Sequence, residues 1–366
     1  MLGGRTLVIG LVGIAAVAGA AAAIALGTRE SAPSDAAGSV AESPATTAAR
    51  TDGAGTASPP APEELTIGWK TDFAKHSVPF DEISSGGPGK DGIPAIDAPQ
   101  FVSVGDAGFL KDREPVIVLE IGGDVRAYPL QILIWHEIVN DDVGGTPVTV
   151  TFCPLCNTSI VFDRRFERRV LDFGVSGNLR NSDLVMYDRQ TESWWQQFSG
   201  EAIVGEHTGG KLNQLPSRII SWGAFRRDHP GGKVLSRATG YQRSYGKNPY
   251  VGYDDVSSPP FFATANADDD RLPPKERVVY LDGRDESIAI PFSALSKRRE
   301  ITVELDGREL VARWTPGVAS ALGDSTIANG DDVGSAQVLE NGRPVPFDEP
   351  FWFAVAAFRP DTRIVK

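Results

Sequence analysis

The chain holds only two cysteines, three positions apart in Thr151-Phe152-Cys153-Pro154-Leu155-Cys156-Asn157. This spacing lets two sulfurs address one point, so it serves a metal chelate, a redox dithiol or a short disulfide. His136 precedes the pair in Leu130-Gln-Ile-Leu-Ile-Trp-His136-Glu-Ile-Val-Asn140, a stretch apolar nearly all round. Such a pattern predicts a buried helix. Helical spacing sets His136 against Ile132, Leu133 and Val139, where an imidazole needs partners. Glu137 is expected to point elsewhere, because adjacent helical residues do not share a face.

Three readings compete for the cysteines. As a metal site, Cys153 and Cys156 supply two thiolates and His136 an imidazole. Such ligands outside the cytoplasm favour copper, with zinc next. As a structural disulfide, the pair closes a very short loop. As a thiol-disulfide oxidoreductase, the first cysteine would open a helix, which lowers a thiol pKa. Here Ile160-Val161-Phe162 reads as a strand, which weakens that option. Met186, the only methionine besides Met1, is a candidate thioether ligand, with core packing as the rival role. Water, Asp183 or Asn157 are further candidates to complete the site.

Asp183 and Tyr187 share an alternating strand with Met186, and Trp194 and Trp195 follow. In an extended chain these tryptophans take opposite faces, one in the core and one half exposed. Tyr250 belongs to the turn-rich Tyr245-Gly-Lys-Asn-Pro-Tyr250-Val-Gly-Tyr253. Together Asp183, Tyr187, Trp194, Trp195 and Tyr250 form the candidate pocket or ligand-binding set. His207 reads as a turn residue, and His76 and His229 as exposed. No nucleotide-binding glycine loop, Ser-His-Asp order or paired-carboxylate motif is present, so no catalytic residue is assigned.

The elements that must position these residues recur. Glu114-Pro-Val-Ile-Val-Leu-Glu-Ile-Gly-Gly-Asp-Val-Arg-Ala-Tyr-Pro129 reads as strand, turn, strand and helix entry. The pattern returns 162 residues later from Glu276 to Pro291. Ala224-Phe225-Arg226 and Ala357-Phe358-Arg359 are paired as the ends of the two units. The second unit has Ser296-Lys297-Arg298-Arg299 where the first has Ile134-Trp135-His136-Glu137, and no cysteine after its next strand. Packing alone therefore does not require the site residues. Helices are expected at 129–140, 222–229, 291–297 and 350–358. The fold class is α+β and β-rich, with two related antiparallel-sheet halves from an internal repeat and few short helices.

Residues 1–30 form a membrane anchor or signal segment, since Thr6–Leu26 carries no charge and makes roughly 31 Å of helix. Residues 31–62 are an Ala/Ser/Pro linker without an aromatic residue. Residues 63–255 are the first half with the site, and 256–366 the degenerate second half. A net charge of −12 without a basic patch argues against nucleic acid as a partner. The expected location is the cell membrane with the body extracytoplasmic, or secretion after cleavage.

Three segments carry a resemblance. Trp135-His136-Glu137-Ile-Val-Asn140, the Cys-x-x-Cys segment and Asn181-Ser-Asp183-Leu-Val-Met186-Tyr187-Asp188-Arg189-Gln190-Thr191 closely resemble the prokaryotic domain-of-unknown-function family 3179. Trp194-Trp195-Gln196, Gly200-Glu201-Ala202 and Phe351-Trp352-Phe353 extend it, over roughly residues 65 to 366. The resemblance implies a prokaryotic extracytoplasmic protein and supplies no activity. The expected function is a membrane-tethered protein binding a transition metal for electron transfer, metal handling or metal-dependent chemistry. A noncatalytic binding module with a Cys153–Cys156 disulfide is the first alternative.

Overall fold

Among the described residues, short alternating apolar runs joined by Gly, Asp and Asn turns build five small sheets in a propeller-like ring and one two-stranded ribbon, with 13% helix. The computed structural model describes residues 60–366. The expected anchor and most of the linker lie outside the described residues. Among the described residues no helix is long and apolar enough to cross a membrane. Ala57–Lys366 packs as one compact unit. Its largest apolar cluster takes side chains from both expected halves, among them Ile132, Val150, Val278 and Trp352.

The two expected units repeat in register. Strands Pro115–Ile121 and Asp124–Pro129 pair so that Val116 faces Pro129 and Ile117 faces Tyr128. At an offset of 162, Val278 faces Pro291 and Val279 faces Ile290. Helices Leu130–His136 and Phe292–Arg298 follow, each entered from a proline. Hairpins Ile138–Val143 with Thr146–Thr151, and Glu300–Leu305 with Arg308–Thr315, keep the same offset. The closing helices Trp222–Asp228 and Trp352–Phe358 each lead to a short strand parallel to the second strand of the unit. These two parallel pairings depart from the expected all-antiparallel order. The closing helices also superpose Trp222 on Trp352, an offset of 130 rather than the 133 that pairs Phe225 with Phe358.

Two further expectations are corrected. The helix expected over 129–140 stops at His136, because Glu137 turns into the left-handed region at φ 59°. Ile138 and Val139 then start a strand, as β-branched residues favour. Trp194 and Trp195 do take opposite faces of their sheet, yet both are 0% exposed. Trp195 packs edge-on against Phe166 and Phe173, and Trp194 against Trp69 and Phe73. The segment preceding the repeat covers the face that was expected to be half open.

Candidate metal centre

The strand Thr146–Thr151 runs straight into the cysteine loop. The Cys153 N–H donates to the Thr158 carbonyl at 2.9 Å, closing a six-residue loop with Asn157 at φ 59°. Asparagine tolerates that conformation better than most residues. Both cysteines are buried free thiols.

Asp183, at the start of strand Asp183–Asp188, meets the loop. The Cys156 thiol lies 2.9 Å from Asp183 Oδ1 and 2.9 Å from Thr158 Oγ1. Asp183 Oδ2 accepts from Gln196 Nε2 at 2.6 Å and from the Phe198 N–H at 2.9 Å. One sulfur from each cysteine and one Asp183 oxygen all lie within 4.8 Å of one another.

The protons of this cluster follow from its bonds. The Thr151 hydroxyl donates to the Ile160 carbonyl at 2.7 Å and accepts from Gln197 Nε2 at 2.8 Å. Gln197 therefore presents Oε1 to Thr158, whose hydroxyl donates to it at 2.6 Å. Thr158 then has only lone pairs left for Cys156, so the Cys156 proton points toward Asp183 or Thr158. Burial lifts the Asp183 carboxyl to about 6, against four hydrogen bonds that pull it down. Burial also raises both thiols, and the negative charge of Asp183 adds to the effect at each. Without a cation these thiols stay protonated, the reverse of what a reactive thiol requires.

Glu137 belongs to this environment, contrary to expectation. Its side chain does diverge from that of His136, but it is Glu137 and not His136 that lies on the side of Cys153 and Asp183. Burial pushes its carboxyl up to about 8, and the charge of Asp183 contributes. Its own charge is felt by Cys153 and by Tyr250.

The geometry leaves His136 outside the group that it was expected to join. The imidazole is fully buried, and Nδ1 donates to the Pro94 carbonyl at 2.7 Å. Nε2 then accepts from the Tyr245 hydroxyl at 2.7 Å, and Thr239 supplies the proton that Tyr245 accepts. Burial holds the ring below its ordinary pKa, so it stays neutral with both nitrogens engaged. Met186 sits in the core on the opposite face of its strand from Asp183. Tyr187, on the Asp183 face, turns its hydroxyl to Asp91 at 2.5 Å and its ring to Trp69.

The segment from Ser236 to Glu276 has neither helix nor ladder strand. It lays Tyr245 on His136 and brings Tyr250 within range of the charges of Glu137 and Cys153. Connections of that length without regular structure are usually functional. From the second half, the Phe351 N–H donates to the Cys156 carbonyl at 2.9 Å. Asn157 Nδ2 donates to the Glu349 carbonyl at 2.7 Å, and Arg277 Nη1 to Asn157 Oδ1 at 2.6 Å.

A family described as "Protein of unknown function (DUF3179)" matches residues 90–362. The chain belongs to this family. The match takes in both units and every residue of the cysteine–aspartate cluster. No curated protein and no solved structure matches the chain. Membership therefore carries no activity, and chemistry rests on the cluster. Glu137 was not singled out as a site residue by sequence reasoning.

Proposed function

We propose that this protein binds a thiophilic divalent metal ion through Cys153, Cys156 and Asp183, with its folded body tethered outside the cytoplasm. One observation carries the reading: two sulfurs and a carboxylate oxygen, from separate elements, lie within 4.8 Å in a buried site. Tetrahedral zinc bonds of about 2.0–2.3 Å place neighbouring ligand atoms roughly 3.3–3.8 Å apart. The Cys156–Asp183 pair, at 2.9 Å, has to open slightly to reach that spacing, and the remaining pairs already lie within 4.8 Å. A bound dication also offsets the burial of acidic groups that otherwise hold their protons.

The donor set moves zinc ahead of copper, reversing the order expected from Cys, Cys and His. Zinc accepts thiolate and carboxylate together. Copper(I) prefers a softer third donor, and Met186 lies across its strand from Asp183. Zinc has no redox chemistry, so metal handling or a metal-assisted reaction fits better than electron transfer. The tether rests on the uncharged run Thr6–Leu26.

The test is zinc and copper titration of metal-free protein, with elemental analysis of the product. One zinc per chain is expected, lost in Cys156→Ser and Asp183→Asn. Absence of stoichiometric metal, or unchanged binding in both variants, sinks the reading.

A further inference from the structure

Arginine leaves the surface of this fold together with a carboxylate, with one exception. Five arginines among the described residues are buried or half-buried: Arg126, Arg164, Arg180, Arg218 and Arg277. Four of them hold an acid, namely Asp141, Asp172, Glu82 and Asp254 in turn. The Arg218 side chain makes no ion pair and no hydrogen bond among the described residues. Burial lowers its pKa, and the charges of Asp228 and Glu349 counter this only from a distance. A charge drawn out of water without a partner is costly, so such a group marks a place that a counter-ion completes.

The fold sets this guanidinium on a cleft. Strand Arg218–Ser221 pairs with Pro115–Ile121 so that Arg218 faces Val118. Strand Ser335–Glu340 of the second unit packs beside it. The cleft at this junction measures about 530 Å³, a size that takes small organic molecules. Val118, Val338, Val345 and Phe347 give it apolar walls. Ser217 and Gln337 line it with polar side chains, and His229 lines it with its ring packed against Phe225. Glu120 is the one carboxylate among the lining residues, and it is exposed rather than paired with Arg218. Neither unit builds the cleft alone, because Arg218 comes from the first and Val338, Val345 and Phe347 from the second. It shares no residue with the cysteine–aspartate cluster.

We infer that this cleft binds a small organic carboxylate with an apolar body, its carboxylate seated on Arg218. The planar guanidinium presents its donors in a fork that matches the two oxygens of a carboxylate. The valine and phenylalanine walls offer nothing to a bare inorganic anion and bury the body of an organic one. Glu120 on the cleft and a net charge of −12 favour a monoanion over a phosphate dianion. Ser217 and Gln337 bring further donors to the same cleft.

The experiment titrates the full chain with hydrocinnamate by calorimetry, with hydrocinnamyl alcohol as the uncharged analogue. Saturable binding of one acid per chain is expected, about tenfold or more tighter than the alcohol, as a hydrogen-bonded charge pair warrants. Arg218→Met keeps an apolar stem and removes the charge, so acid and alcohol should bind it alike. That variant should melt no lower than wild type, because it removes an unpaired charge from a half-buried place. Should it melt early, the comparison of acid with alcohol on the wild-type chain still decides the point. No saturable binding of the acid, equal binding of acid and alcohol by wild type, or an undiminished preference for the acid in a folded Arg218→Met overturns the inference. Displacement of the acid by inorganic phosphate at matched concentration overturns its assignment to carboxylates.

Discussion

Glu137 and Arg299 occupy one backbone position, 162 residues apart, with φ, ψ of 59°, −31° and 66°, −29°. Each ends the helix of its unit, and each N–H closes on the carbonyl four residues back, Leu133 and Leu295. The kink therefore belongs to the scaffold, and the side chain placed on it differs by half. In the second unit it is a cation over the Trp314 ring at 4.6 Å. In the first it is a carboxyl in the core whose charge is felt by the Cys153 thiol. Arg299→Gly is expected to raise stability by about 0.5–1 kcal/mol, since glycine suits this cap and the lost stacking is small. Urea unfolding measures it. Glu137→Gln, which keeps the strain and removes a charge near the metal, is expected to weaken zinc about tenfold.

His136 tests the boundary of the site. His136→Ala should leave zinc stoichiometry at one per chain, because the imidazole is engaged with Pro94 and Tyr245. It should destabilise the fold by about 2–3 kcal/mol, since it strands a buried carbonyl and a hydroxyl. Loss of zinc at full stability would return His136 to the ligand set.

The two tryptophans should respond alike. Trp194→Ala and Trp195→Ala each empty a fully buried indole, so each is expected to cost about 3–5 kcal/mol. Denaturant midpoints separate this outcome from that of one core and one surface residue. For the latter, one of the two variants would be nearly silent.

Asp348 and Glu349 give the metal-free protein a pH dependence. Burial lifts their carboxyls from 3.8 and 4.5 to about 7 and about 8, and Glu137 likewise reaches about 8. The folded state then holds protons that the unfolded chain has released, so stability falls as pH rises between these limits. It is complete below about pH 4 and is lost through about pH 7 to 8. The urea midpoint should drop between pH 5 and 8.5, and Glu349→Gln should flatten the slope. A midpoint rising over that range contradicts the assignment.

Much of the scaffold was legible because periodicity and turn chemistry are local. The paired strands at 115–121 and 124–129, the proline-entered helices and the offset of 162 all rest on such signals. What escaped was governed by single dihedrals or distant cover. One positive φ at Glu137 ended a helix early and set the acid near Cys153 and Asp183 while His136 faced Tyr245. One of the two tryptophans was expected to be half exposed, and the cover of Trp69 and Phe73 over Trp194 is supplied by distant chain. Asp183 was one of several candidates to complete the cysteine site, and what the sequence did not contain is the packing that brings it to the cysteines from 27 to 30 positions away.

The clasp of Phe351, Glu349 and Arg277 on the Cys156–Asn157 backbone sets an order of assembly. Cys153, Cys156 and Asp183 are all present once residue 183 has been made, yet the loop presenting the two cysteines is pinned by chain made more than 90 residues later. A nascent chain bearing both thiols and the carboxylate therefore lacks the finished site. If the cluster takes a metal as proposed, loading is expected to follow synthesis and folding of the second half, in whichever compartment that half is completed.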